Sequence, residues 1–177
     1  MFLGAMVDAG LDLADLEREL RKLPLDGWAI TATHTKRHSI AATKVDVEDN
    51  SHQDSADHGH AADHGHDHDH DADHDHSHET RGLSDIEKIV EGSTLDDEVK
   101  RVAMRIFTRL ADAEAAAHRV PREQIHFHEV GAIDSIVDIV GAAVAIHLMG
   151  IQEVYASPIP AGRGFVKCAH GLMPLPA

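Results

Sequence analysis

The sequence predicts an α+β (mixed α/β) domain with helices packed on a mixed sheet and interrupted by a disordered His/Asp-rich insertion. Three observations carry this. Leucines at 13, 16, 20 and 23 keep helical spacing. Val45 and Val47 alternate with Lys44, Asp46 and Glu48, the period of a half-buried strand. Helical and extended patterns then mix without a repeating βαβ rhythm.

Each element follows in order. A first helix spans about Phe2–Ala9 and ends at Gly10, a favourable residue just past a helix. The second helix carries the leucines and is stopped by Pro24. Trp28–Lys36 and Ile40–Val47 read as a strand pair. Residues 49–80 are low complexity, mostly Asp, His, Ala, Gly and Ser, with too little apolar area to order themselves. Ser84 with Glu87 suits a capping box for a helix over Asp85–Glu91. Ser93 or Thr94 can cap a long helix reaching about Arg119, its buried face marked by Val99, Val102, Ile106, Phe107 and Leu110. Pro121 opens a turn and Ile125–Glu129 is extended. A helix runs from about Asp134 to Met149 and ends at Gly150. Val154–Ile159 and Gly164–Cys168 are expected strands. The expected organisation is 1–48 as the first half of the domain, 49–80 as a metal-binding insertion and 81–177 as the remainder.

Composition narrows the function. The 177 residues carry a net charge of −15. Eight aspartates lie between residues 52 and 78, leaving 23 acids against 16 bases elsewhere. Such a balance argues against nucleic acid as a partner, because phosphate backbones are bound by excess basic charge. No basic leader precedes the apolar start, and the longest apolar run, Ile139–Ile146, is too short to span a bilayer. A cytoplasmic protein with no membrane partner is expected. The single cysteine, Cys168, excludes an internal disulfide.

The residues with chemistry cluster in His126–Asp138, HFHEVGAIDSIVD. In an extended segment His126 and His128 face one side, a two-point grip on Ni²⁺, Zn²⁺ or Mn²⁺. Glu129 adds a carboxylate. Asp134 and Asp138 are four apart, so on a helix they share a face about 5–6 Å apart at Cβ. That pair can reach one metal ion, or it can simply favour the helix N-terminus, with Asp134 as cap. His170, beside Cys168 at a strand end, is a candidate ligand or acid/base. A second metal-binding pattern lies in the tract, where His58, His60, His64, His66, His68, His70, His74, His76 and His78 alternate with aspartates. Flexible imidazole–carboxylate tracts capture metal but cannot hold a preorganised geometry. Arg101, Arg105 and Arg109 form a stripe that either meets phosphate or pairs as Asp97–Arg101 and Arg109–Asp112 on a solvated face. Phosphate-loop, H-E-x-x-H, dinucleotide-loop and nucleophile-elbow signatures are missing.

The string His126–Gly141, HFHEVGAIDSIVDIVG, resembles the nickel-insertion proteins of lactate racemase maturation. Met1–Ala5 (MFLGA), Tyr155–Pro158 (YASP), Gly164–Gly171 (GFVKCAHG) and the His-rich insert agree, so the likeness covers nearly the whole chain. The resemblance implies a nickel insertase, or cyclometallase, of the lyase class. It would place Ni²⁺ into pyridinium-3,5-bisthiocarboxylic acid mononucleotide, using CTP and Mn²⁺ or Mg²⁺, to make the nickel-pincer cofactor. It implies His126, His128, Glu129 and His170 in catalysis and His126, His128, Glu129, Asp134 and Asp138 around the metal. It also implies a homo-oligomer, with the lactate racemase apoprotein as a further partner. The family's opening strand and D-C-x-S-G-x-S-G-D loop are missing before Met1, and its continuation past Pro174 is missing too. The expectation is therefore an N-terminal part, incomplete for the full reaction, with the CTP site in the missing C-terminal region. The alternative is a nickel- or zinc-binding metallochaperone or store without catalysis.

Overall fold

The structure, a computed structural model, describes residues 1–50, 81–127, 130–160, 162–168 and 171–175. Its elements are α1 (Phe2–Asp8), α2 (Leu13–Leu20), β1 (Trp28–Arg37), β2 (Ile40–Asp49), α3 (Leu83–Glu91), α4 (Asp97–His118), a 3-10 turn (Arg122–Gln124), α5 (Ile133–Leu148), β3 (Gly164–Cys168) and β4 (Gly171–Leu175). The class is α+β.

Helix α5 organises the core. Ile133, Ile136, Val137, Val140, Ala143, Val144 and Ala145 are all buried, so the helix is apolar nearly all round, as a central helix must be. Helices α1, α2 and α4 and strand β2 surround it. Gly141 lets α1 and α2 close on α5: a Cβ there would lie 3.2 Å from Leu3 Cδ1 and 3.5 Å from Leu20 Cδ1. Helix α2 is capped by Asp12, whose carboxylate accepts from the Ala14 amide at 2.7 Å, and it buries Leu16 and Leu20. Trp28 is buried; its Nε1–H donates to the Leu25 carbonyl at 3.0 Å, and the Arg21 guanidinium lies 3.9 Å from its ring centroid. That stacking closes the base of the β1–β2 hairpin.

Strands β1 and β2 pair antiparallel from Trp28↔Asp49 to Arg37↔Ile40, joined by His38 and Ser39, both at positive φ (48° and 71°). Two successive left-handed residues make a two-residue turn whose twist suits a hairpin. Helix α1 is fastened to β2 at Asp8, whose carboxylate accepts from the Thr43 amide at 2.8 Å and the Thr43 hydroxyl at 2.6 Å. These bonds hold the Asp8 carboxyl below the usual carboxylate range. A depressed acid stabilises the fold above its unfolded pKa, and that stability is lost as pH falls through the folded value. Asp8→Ala should therefore lower the thermal midpoint at pH 7. In melts stepped into acid, the gap to the parent should close below the usual carboxylate range.

Several sequence expectations are corrected. The mixed sheet is replaced, among the described residues, by two separate antiparallel pairs, β1–β2 and β3–β4. Val154–Ile159 forms no strand; Val154, Tyr155 and Ile159 are exposed with no ladder beside them. Helix α3 starts after Gly82, and Asp85, not Glu87, turns back to accept from the Gly82 amide at 3.2 Å. The cap of α4 is Asp96, which accepts from the Glu98 amide at 2.8 Å. Ser93 is buried instead, donating to the Val90 carbonyl at 2.6 Å, and so joins α3 to the turn. The fully buried stripe of α4 is Val99, Ala103, Phe107 and Ala111, since the alanines admit α5 closely; Val102 and Leu110 are only partly buried, beside it. The expected disordered insertion lies outside the described residues.

Candidate functional site

The loop before α5 is built by alternation. Ile125 and Phe127 are buried, which leaves His126 between them exposed. Phe127 is held by its amide, which donates to the Arg81 carbonyl at 3.0 Å. The Arg81 guanidinium in turn donates to the Gly131 carbonyl at 2.8 Å. Gly131 fits because it lacks a side chain: a Cβ would sit 3.0 Å from both the Arg81 nitrogen and the Phe127 carbonyl oxygen. Arg81 thus straps the loop from 50 residues away, and sequence reading missed it. Its only sequence signal is position, directly after the low-complexity tract. Arg81→Ala should cost about 2 kcal/mol, the scale of a charged hydrogen bond in a part-buried setting, as read by urea unfolding.

His126 lies near the start of α3. Asp85, held below the usual carboxylate range first by its hydrogen bond to Lys88 and then by the Gly82 amide, also feels the charge of His126. Asp134 and Asp138 are both exposed on the first turns of α5, the Asp138 carboxyl only in part. Asp134 is not the cap, since Ala132 holds that position; its Oδ1 accepts from the Ser135 amide at 2.7 Å. Partial burial pushes the Asp138 carboxyl above the usual carboxylate range. The Met1 ammonium opposes this, while Asp134 and Asp46 add to it. Asp46, half-buried on β2 and paired with Lys44 at 2.7 Å, is a second residue the sequence did not single out.

The electrostatics therefore couple Asp138 to Asp134 and Asp46, and Asp85 to His126. Among the described residues, no three His, Cys, Asp or Glu side chains stand close enough together to hold a metal ion. His128, Glu129, His170 and the tract histidines His58, His60, His64, His66, His68, His70, His74, His76 and His78 lie outside the described residues. No helix among those residues is long and apolar enough to cross a membrane.

The described residues form an α+β domain whose central helix follows a loop carrying His126 and bears Asp134 and Asp138 on its first turns. The family model described as nickel insertion protein matches residues 1–177, and the chain belongs to that family. A putative nickel insertion protein of Geobacter sp. (strain M21) is 45% identical over 177 residues, covering 100% of this chain and 40% of the relative. A pyridinium-3,5-bisthiocarboxylic acid mononucleotide nickel insertion protein of Akkermansia muciniphila is 41% identical over 180 residues, again 100% and 40%. One of the same description from Acetivibrio thermocellus is 43% identical, covering 99% of this chain and 39% of the relative. The chain thus spans about two-fifths of the length of these relatives. No solved structure matches it.

Proposed function

We propose that this chain takes part in inserting Ni²⁺ into pyridinium-3,5-bisthiocarboxylic acid mononucleotide, the substrate printed in the names of its relatives. The observation that carries the reading is the His126–Asp138 motif set at the mouth of a central apolar helix, in a chain whose whole length matches the family. Ni²⁺ is the substrate metal. In this reading His126, His128, Glu129, Asp134 and Asp138 hold it by nitrogen and oxygen, donors that yield it to the softer sulfur of a thiocarboxylate. The raised Asp138 carboxyl and its acidic neighbours support an ion there, since a divalent cation relieves their mutual repulsion. Formation of a nickel–carbon bond releases a ring proton, which His126, His128, Glu129 or His170 would accept. The reaction is read as a CTP-dependent cyclometallation of the lyase class, with Mn²⁺ or Mg²⁺ as helper ion. The tract His58–His78 supplies capture rather than chemistry.

The second reading, a nickel store without catalysis, is favoured by that tract's ten histidines between residues 52 and 78. Nickel calorimetry separates the two, using the chain with residues 52–78 deleted and the same protein carrying His126→Ala and Asp138→Ala. The insertase reading expects about one Ni²⁺ per deleted chain and its loss in the double variant. If the deleted chain binds no nickel, the motif is not a metal site and the storage reading stands.

A further inference from the structure

The arginine stripe of α4 is arranged differently from the ion-paired surface that its spacing suggests. Arg101 is paired, to Glu98 rather than Asp97, through both carboxylate oxygens. Asp112 is taken by Arg122 at 3.1 Å, not by Arg109. Arg105 and Arg109 are exposed, and among the described residues neither guanidinium makes a hydrogen bond or an ion pair. Four residues apart on one helix, they stand about 5–6 Å from each other at Cβ. Both line an open groove of about 1180 Å³ running along α4. Its apolar wall is formed by Val102, Ile106 and Leu110, with Ile146 from α5 and Val154 beyond it. None of its lining residues lies within 126–141, so it is distinct from the loop–helix motif.

Two free guanidiniums are unusual company in a chain of net charge −15, where acids are in excess to neutralise them. A guanidinium presents a planar fork matched to phosphate oxygens, and two a turn apart can grip one phosphate from two sides. The apolar strip beside them offers a flat ring an apolar surface to cover. An apolar wall beside a few charged groups is the usual form of a small-ligand site; here Lys100 joins the arginines, and Asp97 and Asp112 flank them, in a groove open to solvent. We propose that the α4 groove binds a nucleotide, with Arg105 and Arg109 on its phosphate and Val102, Ile106 and Leu110 beneath its ring. The site stands independently of where nickel is held.

Calorimetry on the full chain tests this with three metal-free probes: nicotinamide mononucleotide, ATP and inorganic phosphate. The expected result is binding of at least one nucleotide, at least about tenfold tighter than inorganic phosphate. Arg105→Ala with Arg109→Ala should weaken it by at least about tenfold. The thermal midpoint should stay unchanged, because among the described residues neither side chain has a partner to lose. The corresponding double lysine variant should retain part of the affinity, having charge without the fork. Preference for the mononucleotide would mark a substrate-holding site, and preference for ATP a site for a triphosphate co-substrate; either supports the proposal. Absence of nucleotide binding overturns it. So does nucleotide binding that survives the double alanine variant, or inorganic phosphate bound as tightly as the nucleotides.

Discussion

Asp134→Asn with Asp138→Asn should abolish stoichiometric nickel binding by the chain lacking residues 52–78, and yet raise its metal-free thermal midpoint. The two effects share one cause. Both carboxylates lie on one face of α5, and Asp46 on β2 adds a third negative charge to the field at Asp138. Partial burial, first, and then these neighbours push the Asp138 carboxyl up. For a raised acid the sign is fixed: its stabilising contribution is complete below the unfolded pKa and is lost as pH rises through the folded value. At pH 7 the ionised Asp138 therefore weighs against the fold, and asparagine removes that burden while keeping shape. Nickel affinity moves the other way, because an amide oxygen is a poorer donor than a carboxylate to a divalent ion. Calorimetry and melts on one preparation read both quantities. Unchanged nickel binding would move the metal away from α5, and a lowered midpoint would mean the acids serve the helix N-terminus instead.

Gly4→Ala should lower the unfolding free energy by about 3 kcal/mol, at the upper end of typical overpacking costs. A Cβ on Gly4 would lie 2.2 Å from the Thr43 carbonyl oxygen and 3.5 Å from the Val45 amide nitrogen. Both are β2 backbone, so neither can swing aside; α1 must lift from the hairpin. Lifting α1 would also strain the Asp8–Thr43 bonds one turn on. Gly141→Ala is the internal comparison. The three atoms nearest its new methyl group are side-chain ends of Leu3 and Leu20, which can shift by a few tenths of an ångström. Urea unfolding should find Gly141→Ala well under half as costly as Gly4→Ala. Equal costs would show that α1 is loosely seated, and that the Met1–Ala5 string is not constrained by this contact.

The local pattern was legible wherever one face of an element is buried. Leucine spacing placed α2, valine alternation placed β2, and the apolar run after Asp138 placed α5, because each periodicity reflects a single side turned to the core. The HFHEVGAIDSIVD string pointed to the nickel insertion family, and the family match bears that out. The outward face of His126 was decided by the burial of Ile125 and Phe127 on either side of it. The caps were less legible: Asp85 displaced Glu87 and Asp96 displaced Ser93, since several polar residues compete at a helix start and geometry selects among them. Val154–Ile159 had strand composition but has no neighbouring strand among the described residues, and backbone pairing needs a partner that composition cannot supply.

What the sequence determined by itself is the inventory: an α+β chain with a central apolar helix, acids and imidazoles at its mouth, and a histidine tract apart from them. What only the tertiary structure decided is adjacency. Asp8 meets Thr43 from 35 residues away, Arg81 holds Gly131 from 50 residues away, and Asp46 acts on Asp138 from another element. Among the described residues Arg109 emerges unpaired only once Arg122 has taken the Asp112 that spacing had offered it. Periodicity reports which side of an element faces the core. Which groups then meet across that core depends on how closely helices can approach, and here glycines 4, 131 and 141 set that approach.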